Sequence, residues 1–187
     1  MMHELKMNRW FISDTHFSHA NIIGYTGRPF QSVSEMNEKL IANWNALINP
    51  QDTVFFLGDF RLGTTDFLTS LCSRLHGNKI CMRGNHDGTP AKMHTIGFTL
   101  VLESAFIKIG RHQLELVHIP SQPAPSHFQL HAMFMKNDST SSLIDNSIFP
   151  SKSGITSLFL KRRSLLCWIV QILFYRMSRL SDPFIAF

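Results

Sequence analysis

The sequence predicts an α/β fold in which a largely parallel sheet is covered by helices and packed against a second sheet. Short apolar runs alternate with amphipathic, helix-length stretches through the first half of the chain, and the rhythm then changes to three closely spaced strand-like runs. At 187 residues, with 44% hydrophobic and 17% charged side chains, the chain is long enough to bury an ordinary core and too apolar for a disordered segment.

Trp10-Phe11-Ile12 is a short run suited to a buried strand, ending at Ser13-Asp14. From Ser34 to Ile48, Met36, Leu40, Ile41, Trp44, Leu47 and Ile48 draw one helical face, with Ser32 or Ser34 as N-cap and Asn49-Pro50 as the stop. Thr53 to Leu57 is the second strand, closed by Gly58-Asp59. Asp66 to His76 is the second helix, with Phe67, Leu68, Leu71 and Leu75 on its buried side and Gly77 beyond its end. Lys79 to Met82 is the third strand, closed by Arg83-Gly84-Asn85-His86-Asp87. Phe98–Leu102, Ala105–Ile109 and Gln113–His118 are the later strands, the last two joined by a hairpin at Gly110-Arg111-His112.

Charge and cysteine usage narrow the function classes. The net charge of +5 is uneven: residues 1–130 carry 11 basic and 10 acidic side chains, residues 131–187 carry 7 and 3. A nearly neutral body is weak ground for a nucleic-acid-binding face. Cys72, Cys81 and Cys167 form no CxxC and no even set, which argues against a disulfide scaffold and for a reducing, cytoplasmic setting. Met1 to Lys6 has no apolar core of a signal peptide.

The chemistry-bearing residues stand where strands end: Asp14-Thr15-His16, then Gly58-Asp59, then Gly84-Asn85-His86-Asp87. The C-terminal ends of parallel strands share one sheet edge, where ligands bind. Oxygen and imidazole donors without a thiolate suit manganese, iron or zinc in hydrolytic work. Alone, Asp14 or Asp59 is equally an ordinary cap, and His118 an ordinary strand-end histidine before Pro120. His19, His76, His94, His112 and His127 are expected at the surface or in the core. His19 and Arg28, near the Asp14 edge, are candidates to touch substrate.

Asp-x-His, Gly-Asp and Gly-Asn-His-Asp in that order, followed by a strand ending at His118, resemble the calcineurin-like metallophosphoesterases over roughly residues 8–131. The resemblance implies a two-sheet α/β/β/α sandwich and hydrolysis of a phosphomonoester or phosphodiester by water activated between two divalent metal ions. It implies Asp14 and His16 as ligands of one metal, Asp59 as the bridge, and Asn85 and His118 as ligands of the other. His86 would steady the phosphoryl oxygens or protonate the leaving alkoxide, with Asp87 orienting it.

The family's Gly-His-x-His block is missing. In its place the chain reads His131-Ala132-Met133-Phe134-Met135-Lys136. Those residues are encoded by CAY GCN ATG TTY ATG AAR, and one G restored after the first codon gives His-Gly-His-Val-His-Glu when the open positions are cytosine. The expectation is a metallophosphoesterase-like domain over 1–131, incomplete at its C-terminal end, and a non-homologous tail over 132–187 read out of frame. Loss of two ligands implies weak metal retention and impaired turnover, with an inactive remnant as the rival. The apolar run Leu165 to Tyr175, flanked by Lys161-Arg162-Arg163 and Arg176, is shorter than the ~20 residues of a spanning helix, so a membrane-surface role is a further alternative. No specific nucleic-acid or membrane partner and no oligomeric state follows from the sequence.

Overall fold

A computed structural model describes residues 7–109, 112–120 and 128–132. Met1 to Lys6, Cys167, His127, the hairpin tip at Gly110-Arg111 and the tail from Met133 onward lie outside the described residues.

Strands β1 (Arg9–Ile12), β2 (Thr53–Phe56), β3 (Asn78–Met82) and β4 (Leu100–Leu102) form a four-stranded sheet in the order β1-β2-β3-β4. All three pairings are parallel, with Trp10 opposite Val54, Phe55 opposite Ile80 and Cys81 opposite Val101. Helices α1 (Ala20–Tyr25), α2 (Val33–Leu47), α3 (Thr65–Ser73) and α4 (Pro90–Ile96) lie between or before these strands. Strands β5 (Ser104–Ile109), β6 (His112–Val117) and β7 (Phe128–His131) form the second sheet, β5 antiparallel and β7 parallel to β6.

The period-two alternation of the central strands builds two cores at once. Trp10, Ile12, Val54, Phe56 and Cys81 point to one face, where Met36, Leu40, Ile41 and Trp44 of α2, Leu68 and Leu71 of α3, and Met93 and Ile96 of α4 cover them. Phe11, Leu57 and Met82 point to the other face and meet Ile109 and Leu116 of the second sheet. Parallel strands buried on both faces are the reason these runs are continuously apolar.

Ser32 caps α2 by accepting the Glu35 amide at 3.1 Å, while the Glu35 carboxylate accepts the Gln31 amide at 2.8 Å. Three details differ from the sequence expectation. Phe67 is 50% exposed, because the buried stripe of α3 and its following turn is Leu68, Leu71, Cys72 and Leu75, and residue 67 falls off that stripe. Leu47, at the last position of α2, is 46% exposed. Helix α3 ends at Ser73, and Gly77 takes its φ of +87° in the turn that follows. Helices α1 and α4 and strand β7 were not anticipated, although Thr89-Pro90 and Gly97 are ordinary start and stop signals for α4. Cys72 and Cys81 are free and buried. No helix of the described residues is long and apolar enough to cross a membrane.

Candidate metal centre

The ends of β1, β2 and β3 lie side by side, and backbone bonds clip the loops that follow them together. The Asp14 amide donates to Gly58 O at 3.0 Å, the His16 amide to Asp59 O at 3.0 Å, and the Phe17 amide to Phe60 O at 2.8 Å. Asp14, His16, Ser18 and Asp59 all hold positive φ, between 49° and 63°. Left-handed backbone at a non-glycine residue costs about 1–3 kcal/mol, and such strain collects at functional sites where surrounding bonds over-determine it. Here those bonds aim the side chains of Asp14, His16 and Asp59 into one space.

Arg28, predicted as a substrate contact, sits beneath this loop. Its Nη1 donates to Thr15 O and its Nη2 to Asp14 O, both at 2.8 Å. Burial lowers its pKa and the nearby Asp14 charge opposes that. The guanidinium therefore acts on the loop backbone.

Asp87 holds the second and third loops together. Its carboxylate accepts the amides of Asp59 at 3.0 Å, Phe60 at 2.9 Å and Gly84 at 2.8 Å. The expectation that Asp87 orients the His86 ring has no hydrogen bond behind it among the described residues; its oxygens are taken by backbone amides of its own turn and the neighbouring loop. Two glycines allow the loops to approach. A Cβ at Gly58 would stand 2.6 Å from His118 Nδ1, and one at Gly84 would stand 2.5 Å from the Asp59 amide and collide with Asp59 Oδ1.

Asp59 lies at the middle. Its Oδ2 is 3.8 Å from His16 Nε2 and its Oδ1 is 3.5 Å from His118 Nε2, so its two oxygens face two different imidazoles. Oδ1 also accepts the His86 amide at 3.0 Å. On one side, Asp14 Oδ1 is 3.9 Å from His16 Nε2, and Asp14, His16 and Asp59 bring three ligand atoms within 4.8 Å of one another. Distances of 3.8–3.9 Å are too long for hydrogen bonds, yet two atoms each about 2.1 Å from one ion can be separated by up to roughly 4.2 Å. On the other side, His118 Nε2 is 3.1 Å from Asn85 Oδ1. His118 Nδ1 donates to Leu57 O at 2.7 Å, which leaves Nε2 as the nitrogen turned to the centre.

The electrostatics suit a cation. Asp14 Oδ2 and His16 Nδ1 are buried with no hydrogen-bond partner, which is costly for polar atoms. Burial raises the Asp14 pKa to about 6 and lowers that of His16 to about 4. Burial also acts to lower His118, but the hydrogen bond and charge of Asp59 outweigh it and lift the pKa to about 8. Asp59 is held below the usual carboxylate range: burial pushes it up, and the bonds from His118 and the His86 amide win. A buried acid partly protonated near pH 6 beside an imidazole that stays neutral is a site short of positive charge. The donor set of carboxylates, imidazoles and a neutral amide oxygen fits a divalent cation, with Asp14, His16 and Asp59 gathered on one side of the centre and Asn85 and His118 on the other.

The His86 ring is 5.7 Å from that of His16 and 6.4 Å from that of His19, so both lie at the rim of the centre. His19 Nδ1 also caps α1 by accepting the Ile22 amide at 3.2 Å. His76, His94 and His131 bond to backbone oxygens of Ile48, Phe98 and Ala132.

Comparison with known proteins identifies the family. A family model described as calcineurin-like phosphoesterase matches residues 7–158, a span that continues past His131. An uncharacterized protein of Methanocaldococcus jannaschii is 45% identical over 91 residues, covering 48% of this chain and 52% of its own length. The gene 66 protein of Mycobacterium phage L5 is 32% identical over 84 residues, covering 43% of this chain and 40% of its own length. The chain thus matches about half the length of these relatives or less. A crystal structure of an Aquifex aeolicus protein of unknown function superimposes with a TM-score of 0.55 at 29% identity, covering 63% of this chain and 64% of that one. With the family match spanning well over half of its residues, the chain belongs to the calcineurin-like phosphoesterase family.

Proposed function

We propose that this centre hydrolyses a phosphomonoester or phosphodiester with water activated between two divalent metal ions. The observation that carries the reading is the Asp59 carboxylate, whose two oxygens face His16 Nε2 and His118 Nε2 at 3.8 and 3.5 Å. Two bound cations would supply the Lewis acidity that lowers the pKa of water towards neutral and offsets charge on the phosphoryl group. Asp14, His16 and Asp59 would hold one cation, and Asp59, Asn85 and His118 the other. Asn85 contributes a neutral oxygen, which keeps negative charge low where a phosphate must approach. His86, exposed at the rim and tethered by its amide to Asp59, donates its proton to the leaving alkoxide as the phosphorus–oxygen bond breaks. His19 stands beside it and lines the approach.

The chain as written is an impaired form of this enzyme, because the family's closing histidine pair is absent. Strand β7 runs parallel to β6 with His131 opposite Val117, and the Ala132 amide donates to His118 O at 3.2 Å. The position where the pair is expected therefore follows directly from a residue bonded to a ligand-bearing turn. The codon argument at His131 supports a lost base, and resequencing across that codon decides between a continuous family domain and a tail read out of frame.

Manganese titration with p-nitrophenyl phosphate and its bis ester, on this chain and on the chain with the base restored, tests the reading. The expected result is weak or no turnover by the first and metal-dependent turnover by the second. No turnover by either, under saturating metal, favours an inactive remnant.

A further inference from the structure

Tyr25, the last residue of α1, is 64% exposed, and its hydroxyl makes no hydrogen bond among the described residues. Its helix is nevertheless fastened at both ends. His19 Nδ1 accepts the Ile22 amide at 3.2 Å, and the Thr26 amide and hydroxyl donate to Ile22 O at 3.1 and 2.7 Å. The Arg28 amide then donates to Ile23 O at 2.9 Å, while the Arg28 guanidinium holds the Asp14 and Thr15 carbonyls. The open tyrosine is therefore carried on a short helix tied to the loop that bears Asp14 and His16.

Its ring has one aromatic neighbour among the described residues, and that neighbour leads to the centre. Tyr25 meets His19 with ring centroids 6.3 Å apart. His19 in turn meets His16 at 5.8 Å and His86 at 6.4 Å, and those two rings meet at 5.7 Å. All four contacts are edge-on, with interplanar angles of 70–89°, so none covers a ring with a parallel neighbour. Because His19 Nδ1 accepts an amide, the neutral ring carries its proton on Nε2, a donor without an acceptor among the described residues. A tyrosine offers a large, rigid face at low entropic cost, and such faces bind planar guests by stacking.

We propose that Tyr25, with His19, is the subsite for a planar aromatic group on the phosphate ester, a nucleobase or another aryl ring, which stacks on Tyr25 while the phosphoryl group lies at the metal centre. The inference rests on the phosphoesterase reading for the place of the phosphoryl group. Binding of the ring itself requires no hydrolysis. Tyr25 stands apart from the candidate metal ligands and from His86, so its part is in choosing the substrate.

The test uses ligands with no ester bond to cleave, so that it stands or falls separately from turnover. Adenosine, phenylphosphonate and methylphosphonate are titrated, without metal and with excess zinc, into the unsubstituted chain, Tyr25→Ser, Tyr25→Phe and, as control, Phe67→Ser. Affinities are read from the NMR shifts of histidine and tyrosine ring protons. The expected result is that a ring-bearing ligand binds more tightly than methylphosphonate and moves the His19 and Tyr25 signals by its ring current. Tyr25→Ser should lower that affinity roughly tenfold and Tyr25→Phe hardly at all, with methylphosphonate unaffected and Phe67→Ser without effect. Loss of adenosine binding in Tyr25→Ser identifies a nucleobase; a loss confined to phenylphosphonate identifies another aryl ring. Unchanged thermal unfolding of Tyr25→Ser shows that the fold survives. Ring-bearing and ringless ligands bound alike, unaltered affinity in folded Tyr25→Ser, or no binding of either ring-bearing ligand up to about 50 mM overturns the proposal. Turnover by the base-restored chain alongside any of these results sinks this inference alone; ring binding without such turnover sinks the phosphoesterase reading and leaves the ring subsite standing.

Discussion

The carboxylate of Asp87 accepts the backbone amide of Asp59 at 3.0 Å, so the residue at the middle of the centre is held by a neighbouring loop through its main chain. The same carboxylate takes the Phe60 and Gly84 amides. Asp87→Ala strands three partly or fully buried amides and should cost about 3–5 kcal/mol in urea unfolding. Asp87→Asn keeps an acceptor oxygen and should cost about 1–2 kcal/mol. An equal, small effect of both would mean that the amides find other partners.

Gly84 and Gly58 set how closely the second and third loops approach. Gly84→Ala drives a methyl group into the Asp59 carboxylate, and Gly58→Ala meets His118 Nδ1 at 2.6 Å while forcing alanine into a φ of +89°. Each should destabilise by more than about 2 kcal/mol and weaken manganese binding in whatever fraction folds. Calorimetric unfolding and metal titration of the two variants check this together.

The metal-free protein should lose stability as His118 gives up its proton. Its folded pKa of about 8 exceeds the ordinary 6.5, so the folded state binds more protons than the unfolded state between those values. That stabilising contribution is fully present below about pH 6.5 and is lost as pH rises through about 8. The difference in urea midpoint between the unsubstituted chain and His118→Gln should therefore shrink from pH 6 to pH 9. A constant difference would show that Asp59 does not hold the His118 proton.

Manganese uptake has to displace protons from the same groups. Asp14 is protonated below about pH 6 and His118 below about pH 8, so metal affinity should rise across that interval, with protons released on binding. Calorimetry in buffers of different ionisation enthalpy measures the release directly. A pH-independent affinity without proton release would place the metal elsewhere.

Much of the centre was legible because its residues sit at the ends of apolar runs. Asp14, Asp59 and Asn85 each follow a strand of one parallel sheet, and parallel pairing alone brings those ends to one edge. His118 was less visible. Its placement depends on a contact with Leu57 O, 61 residues away, that no local spacing reveals. The bonds that Arg28 makes to the Thr15 and Asp14 carbonyls were not legible, because they exist only once Asp14 adopts a left-handed backbone. Strand β7 is four residues long, and an alternation that short does not distinguish a strand from a loop.

Anomalous diffraction at the manganese edge, from crystals of this chain grown in excess manganese, tests the central geometry most directly. The account predicts one peak among Asp14, His16 and Asp59 and a second among Asp59, Asn85 and His118, with the Asp59 carboxylate between them. Manganese bound only away from these side chains, or none bound at saturating concentration, would contradict it.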